Sequence, residues 1–233
     1  MSNSNLVDIV MLSPNSSPRT AKIDTITIHH MATVSSAEAC AASFLPTARN
    51  ASANYCIGND GDVALSVEES RRSYCSSNRE NDNRAITIEV SNSERGGDWP
   101  VSDAALNKLL DLCVDICKRN GIPELKFTGD TSGNLTMHKW FTNTACPGPF
   151  LEERFPRIAE EVTRRLSDTS KNSETINTPK EENSNPGTTD GPVYRVQVGA
   201  FLTKDFALNL MEQLKESGYD AFIVKGESNE GSY

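Results

Sequence analysis

Residues 23–30 read Ile23-Asp24-Thr25-Ile26-Thr27-Ile28-His29-His30. Apolar and polar positions alternate through Ile28, the period of a strand with one face buried. The polar positions up to that point are mostly β-branched, which suits a strand and disfavours a helix. Two of the chain's three histidines stand where the alternation stops. A buried strand that delivers imidazoles at its end is therefore the first element from which to work outward.

Downstream, residues 35–48 are rich in alanine and suit a helix, with Ser35 or Ser36 as cap and Glu38 in the first turn. Tyr55-Cys56-Ile57 and Val63-Ala64-Leu65-Ser66-Val67 read as short strands, and Asn59-Asp60-Gly61 between them is a hairpin signal. Ala85-Ile86-Thr87-Ile88-Glu89-Val90 is apolar enough for the middle of a sheet. The clearest helix covers 102–120. Its Leu106, Leu109, Leu110, Cys113, Val114 and Cys117 form one apolar face, with Ser102 to start it and Gly121 to end it. A last helix is expected from Phe150 to Leu166. Together these give an α/β class, a mixed central sheet flanked by helices.

From Asp168 to Pro192 the chain is Ser, Asn, Thr, Glu, Lys, Pro and Gly with Ile176 as its isolated large aliphatic residue, so it reads as a linker. The expected organisation is a first domain over 1–167, a linker over 168–192 and a small module over 193–233. In that module, strictly alternating 193–201, an amphipathic helix over 205–217 and a strand over 218–224 predict a small β-α-β piece.

The 233 residues carry a net charge of −9, which argues against a nucleic-acid partner because phosphate binding needs clustered lysine and arginine. The N-terminus lacks the basic start and apolar run of a secretory signal, and no stretch reaches the ~20 apolar residues of a membrane span. Synthesis in the cytoplasm is expected, with later exit by lysis or a helper pore. The six cysteines are scattered and do not read as a disulfide framework. Cys113 and Cys117 sit one helical turn apart on an apolar face, which favours core packing over a shared metal.

The chemistry rests on a few residues. His29 and His30 end the first strand, His138 lies in Thr136-Met137-His138-Lys139, and Cys146 lies in Thr144-Ala145-Cys146-Pro147-Gly148. Imidazole and thiolate are zinc ligands, and three of them leave a fourth position for water, whose pKa the metal lowers to about 7. A histidine pair at a strand end and a buried cysteine are equally compatible with plain packing, so spacing alone leaves both readings open.

The segments around these residues decide further. Thr25-Ile26-Thr27-Ile28-His29-His30-Met31-Ala32, Ser52-Ala53-Asn54-Tyr55-Cys56-Ile57 with Asp60-Gly61, Ala85-Ile86-Thr87-Ile88-Glu89, and His138 with Thr144-Ala145-Cys146-Pro147-Gly148 resemble, in order and spacing, the N-acetylmuramoyl-L-alanine amidase type 2 family. The resemblance covers roughly residues 6–166. It is strongest to the phage and prophage endolysin branch, and the family also includes peptidoglycan recognition proteins. The resemblance implies one Zn²⁺ per chain on His29, His138 and Cys146, with His30 as the neighbour. It implies Glu89 as general base and Thr144 as a weaker catalytic candidate, with His30, Asn54 and Tyr55 on the substrate side. Peptidoglycan is the implied partner, and the bond cut is the amide between N-acetylmuramic acid and L-alanine. Two other readings compete: a silent peptidoglycan-binding protein, and a Cys-His peptidase using Cys146 as nucleophile.

The chain departs from the family in three places. Ala53 stands where tyrosine-using members carry their tyrosine. Thr144 stands where many carry lysine. Tyr74-Cys75-Ser76 stands where many have Trp-His-Ala. The C-terminal Tyr194-Arg195-Val196-Gln197-Val198-Gly199-Ala200-Phe201 and Gly218-Tyr219-Asp220-Ala221-Phe222-Ile223-Val224 resemble the first half of a sporulation-related repeat (SPOR) domain, a wall-binding module. A half of about 40 residues is small for its own core. Homodimer formation through this piece, docking on the amidase domain and a truncated remnant all stay open.

Overall fold

The computed structural model describes residues 2–174, together with 211, 215 and 221–223. Two units divide the chain, Met1–Pro179 and Lys180–Tyr233, and every element below belongs to the first. The strands and helix expected over 193–224 lie outside the described residues, apart from those five positions.

Six strands form the main sheet. They are β1 (Ile9–Val10), β3 (Thr25–His30), β4 (Tyr55–Ile57), β5 (Val63–Leu65), β7 (Ala85–Val90) and β8 (Leu135–Met137), in the order β1-β5-β4-β7-β3-β8. Only the β4–β5 hairpin is antiparallel. A two-stranded ribbon pairs β2 (Ser17–Pro18) with β6 (Arg71–Arg72). The Arg19 guanidinium ties this ribbon to the sheet, donating to the carbonyls of Glu69, Arg71, Asp82, Asn83 and Ala85.

Four helices flank the sheet: α1 (Ala37–Ser43), α2 (Arg79–Arg84), α3 (Asp103–Asn120) and α4 (Pro149–Glu174). Ser36 caps α1 through Ala39 N–H, Ser102 caps α3 through Ala105 N–H, and Gly121 closes α3 at φ 66°. Several boundaries differ from those the sequence suggests. The first strand begins at Thr25 and includes both histidines. The helix expected over 35–48 ends at Ser43, because Leu45-Pro46 breaks it and a 3₁₀ turn follows over Thr47–Arg49. The last helix continues to Glu174, into the stretch read as linker.

The period of two in β3 and β7 sorts the sheet into unlike faces. Ile26 and Ile28 of β3, Ile86, Ile88 and Val90 of β7, and Leu135 and Met137 of β8 join the main core with Leu109, Leu112, Ile116, Phe155 and Val162 of α3 and α4. Phe127 extends that core, stacking on Trp140 at 5.8 Å and tilting against Phe155 at 5.6 Å. The other face carries Thr27, His29, Thr87 and Glu89. A smaller cluster from α1 covers part of it, with Ala37, Cys40, Ala41 and Phe44 on Ala53, Cys56 and Ala64. The large apolar face holds the fold, and the polar face is left for chemistry.

Candidate metal centre

Parallel pairing in register sets His29 of β3 beside Glu89 of β7. On the other side of β3, β8 pairs Met137 with Ile28. His138 follows at once, in a 3₁₀ turn over His138–Trp140. Cys146 arrives from the loop before α4, anchored where Lys139 N–H donates to the Cys146 carbonyl at 3.1 Å. Three segments far apart in sequence thus meet at the end of one strand.

Donor atoms of His29, His138 and Cys146 all lie within 4.8 Å of one another. His29 Nδ1 is 3.6 Å from Cys146 Sγ, and the His29 and His138 rings are 4.7 Å apart. Tetrahedral zinc bonds of 2.0–2.3 Å place ligand atoms roughly 3.3–3.8 Å apart, so the His29–Cys146 edge already has that length. His29 Nε2 and His138 Nε2 are buried with no hydrogen-bond partner. One ion takes a single nitrogen from each ring, and on His29 that is Nδ1, the atom facing Cys146. For the unpaired nitrogen of His138 a cation is a fitting partner, since buried polar atoms left unpaired are costly. The donor set of two imidazoles and a thiol suits zinc by both chemistry and size.

Electrostatics favour neutral ligands before any metal binds. Burial, then the neighbouring His138 and His30, pushes the His29 imidazole well below its usual range. Burial lowers His138 too. The Cys146 thiol is raised by burial and by Glu89, opposed by a hydrogen bond from His30 N–H. Neutral imidazole is the form that binds a metal.

Glu89 is pushed up to about 8 by burial, against the opposing influence of the Arg49 charge and the Cys75 thiol. Cys75 Sγ is 3.9 Å from Glu89 Oε1, and Glu89 Oε2 has no partner. Glu89, His138, His30 and Cys75 line an open cavity of about 1000 Å³, with Arg49, Arg72, Arg79 and Tyr74 around it. The Arg72 guanidinium sits 4.6 Å over the Tyr74 ring. Asp82, also at the cavity, is occupied by Ser76 and by Cys75 N–H.

The remaining expected residues fall in different places. His30, the next residue on β3, borders the cavity. Its ring meets the edge of Trp99 at 5.4 Å. Gly148 (φ 81°) packs against it so closely that a Cβ there would stand 3.1 Å from the imidazole. Thr144 Oγ1 accepts from Cys146 N–H at 3.2 Å and does not line the cavity, so it shapes the Cys146 loop. Asn54 and Tyr55, expected on the substrate side, are corrected by the structure. Both are fully buried and line no part of the cavity. Asn54 Oδ1 accepts from Thr87 N–H and its Nδ2 donates to the Val67 carbonyl. Tyr55 Oη accepts from Ser4 N–H and donates to Glu69 at 2.6 Å. The physical reason is their use as internal hydrogen-bonding groups, which leaves nothing to offer a substrate.

A layer of hydroxyls beneath the centre is not anticipated from the sequence. Thr27, Thr87 and Thr136 each stand two residues before His29, Glu89 and His138. Thr27 and Thr136 hydroxyls meet at 2.9 Å, Asn81 Nδ2 donates to Thr27 at 3.0 Å, and Thr87 meets Ser73 at 2.7 Å. The signal was present: Thr-x-His, Thr-x-Glu and Thr-x-His are one strand period each. The cavity arginines left no such trace, since they come from loops and short elements.

A family model for N-acetylmuramoyl-L-alanine amidase matches residues 19–149, and one for the SPOR domain matches residues 159–225. No curated protein matches the chain. Among solved structures, PlyL aligns with a TM-score of 0.54 at 20% identity, over 66% of this chain and 95% of that one. A mutant endolysin from Bacillus subtilis aligns at 0.54 and 19%, over 67% and 99%. A selenomethionine derivative of AmpD aligns at 0.52 and 16%, over 68% and 99%. At such identities these likenesses speak for the fold, a mostly parallel sheet between helices. The amidase model spans more than half of the chain, and this protein belongs to the N-acetylmuramoyl-L-alanine amidase family.

Proposed function

We propose that the chain is a zinc-dependent hydrolase that cuts the amide between N-acetylmuramic acid and L-alanine of the peptidoglycan stem peptide, in the manner of a phage or prophage endolysin. The observation that carries this reading is the meeting of His29, His138 and Cys146 beside Glu89, with His138 and Glu89 lining one open cavity. The two histidines and the cysteine are the residues to hold one Zn²⁺. When bound, zinc supplies Lewis acidity and a nucleophilic water at neutral pH.

With a cation beside it favouring the ionised form, Glu89 takes the proton from the attacking water and returns it to the leaving amine. Its carboxylate is in register with His29, and its unpaired oxygen is free for this work. Thr144 holds the Cys146 loop through its hydrogen bond to Cys146 N–H, a positioning role. Arg49, Arg72 and Arg79 put positive charge around the cavity of an otherwise acidic chain, which suits the carboxylates of a stem peptide.

A Cys-His peptidase is the weaker reading. Cys146 is buried, its thiol is pushed upward, and it does not line the cavity, whereas a nucleophilic cysteine needs a lowered pKa and access. We read the catalytic unit as 1–167 continued through the end of α4, with the part of the SPOR-matched segment beyond Glu174 adding affinity for the wall. No helix among the described residues is long and apolar enough to cross a membrane. The protein acts on the wall after release from the cell that makes it.

The test is metal replacement. The chain as purified should hold one zinc, lose hydrolysis of muropeptides with a chelator, and regain it with stoichiometric zinc. Full hydrolysis by metal-free protein would refute the reading, and wall binding without hydrolysis at one zinc per chain would favour a recognition protein.

A further inference from the structure

The centre contains a second donor set. Cys75, Glu89 and His29 also place one donor atom each within 4.8 Å of one another. Only His29 is shared with the first set. Cys75 stands where many family members carry histidine, so this chain brings an additional sulfur to the site. Glu89 Oε2 and His29 Nε2 are both buried without hydrogen-bond partners, and His29 is 1% exposed. Cys75 and Glu89 line the open cavity, so an ion arriving from solvent meets them directly; Cys146 does not line it.

We infer that Cys75 and Glu89, together with His29, form a second, inhibitory position for a thiophilic divalent cation such as Zn²⁺ or Cd²⁺. The inference rests on the zinc reading above, through the shared His29. Sulfur, carboxylate oxygen and imidazole nitrogen are together the donors that soft and borderline divalent metals select. His29 serves each ion through one ring nitrogen, Nδ1 on the Cys146 side and the unpaired Nε2 on the other. Its ring N–H proton and the Cys75 thiol proton now directed at Glu89 are therefore both released to solvent as the metal bonds form. The resulting thiolate and the Glu89 carboxylate bring two negative charges against the ion's two positive ones. The first set, with one thiolate, leaves its ion with net positive charge. Filling the second position engages Glu89 and takes it away from proton transfer, so excess metal slows hydrolysis.

The experiment uses the full chain loaded with one zinc and freed of excess. It is equilibrated with Cd²⁺, both metals are counted per chain, and the thiolate-to-cadmium charge-transfer absorption is recorded. The expected result is one zinc and one cadmium, with the absorption band. Cys75→Ser should keep its zinc and lose both the cadmium and the band. Glu89→Gln should keep its zinc and bind cadmium at least about tenfold more weakly, the scale of losing a metal-site partner. Cys40→Ser, at the cavity but outside the donor set, should behave as the natural chain does. A natural chain with one zinc and no cadmium overturns this inference and leaves the amidase reading intact. So does cadmium retained by Cys75→Ser, or cadmium gained only as zinc is lost. A chain that takes up neither metal overturns both.

Discussion

Replacing Glu89 with glutamine keeps the side chain's shape and removes its proton affinity, and the structure lets two consequences be sized. The first is catalytic. Loss of a positioned general base lowers turnover by about a hundredfold to ten-thousandfold. Zinc stays bound, because Glu89 is outside the first ligand set, and KM changes little. The second concerns the metal-free fold. Burial pushes Glu89 from 4.5 up to about 8, so the native state retains a proton that the unfolded chain releases. Stability is therefore lost as pH rises from about 4.5 through about 8, by at most roughly 5 kcal/mol, less whatever cavity water screens. Glutamine has no charge to bury. Metal-free Glu89→Gln should match the natural chain near pH 4 and exceed it in urea-unfolding midpoint at pH 9. The assays are muropeptide turnover, zinc content and urea titrations at the two pH values. A near-natural rate with zinc confirmed would refute Glu89 as the base. Zinc loss would make it a group that orients a ligand. An unchanged stability difference between the two pH values would refute the burial argument.

Three further outcomes follow from the same geometry. Cys146→Ser replaces a soft thiolate with a hydroxyl and should weaken zinc by more than the roughly 10–100-fold typical of losing an outer-shell partner; full zinc and full activity in this variant would contradict the ligand set. Thr27→Val leaves Thr136 and Asn81 without their shared partner, so unfolding should become easier by about 1–3 kcal/mol, and an unchanged urea midpoint would remove the hydroxyl layer from the account. A chain cut after Glu174 keeps α4 and every site residue, so it should hydrolyse soluble muropeptides as before while binding intact wall less. Light scattering on the same pair checks for a dimer built through the C-terminal segment, and equal wall binding would leave that segment without a targeting role.

Much of this was legible in the sequence because strand alternation and helix capping are local. Ile23–Ile28 announced a strand, Ser102 and Gly121 bracketed α3, and Asn59-Asp60-Gly61 marked the hairpin. The meeting of His29, His138 and Cys146 was not local, since more than a hundred residues separate the first two; the family resemblance supplied it. Asn54 and Tyr55 show where resemblance misleads. They sit in a matching segment, yet pleat direction and partners such as Glu69 and Thr87 turn them inward. The short elements α2 and β8 have too few residues to show a period. Arg49, Arg72 and Arg79 converge only through loop geometry, and Cys75 gained meaning only from its distance to Glu89.

The central claim is the identity of the bond that is cut. The direct measurement is mass spectrometry of a purified disaccharide–peptide muropeptide after treatment with the zinc-loaded chain. The account predicts two products: the intact disaccharide with its lactyl carboxylate free, and the intact stem peptide with L-alanine as its new amino terminus. A new amino terminus at any later residue of the stem, or cleavage between the sugars, would contradict it.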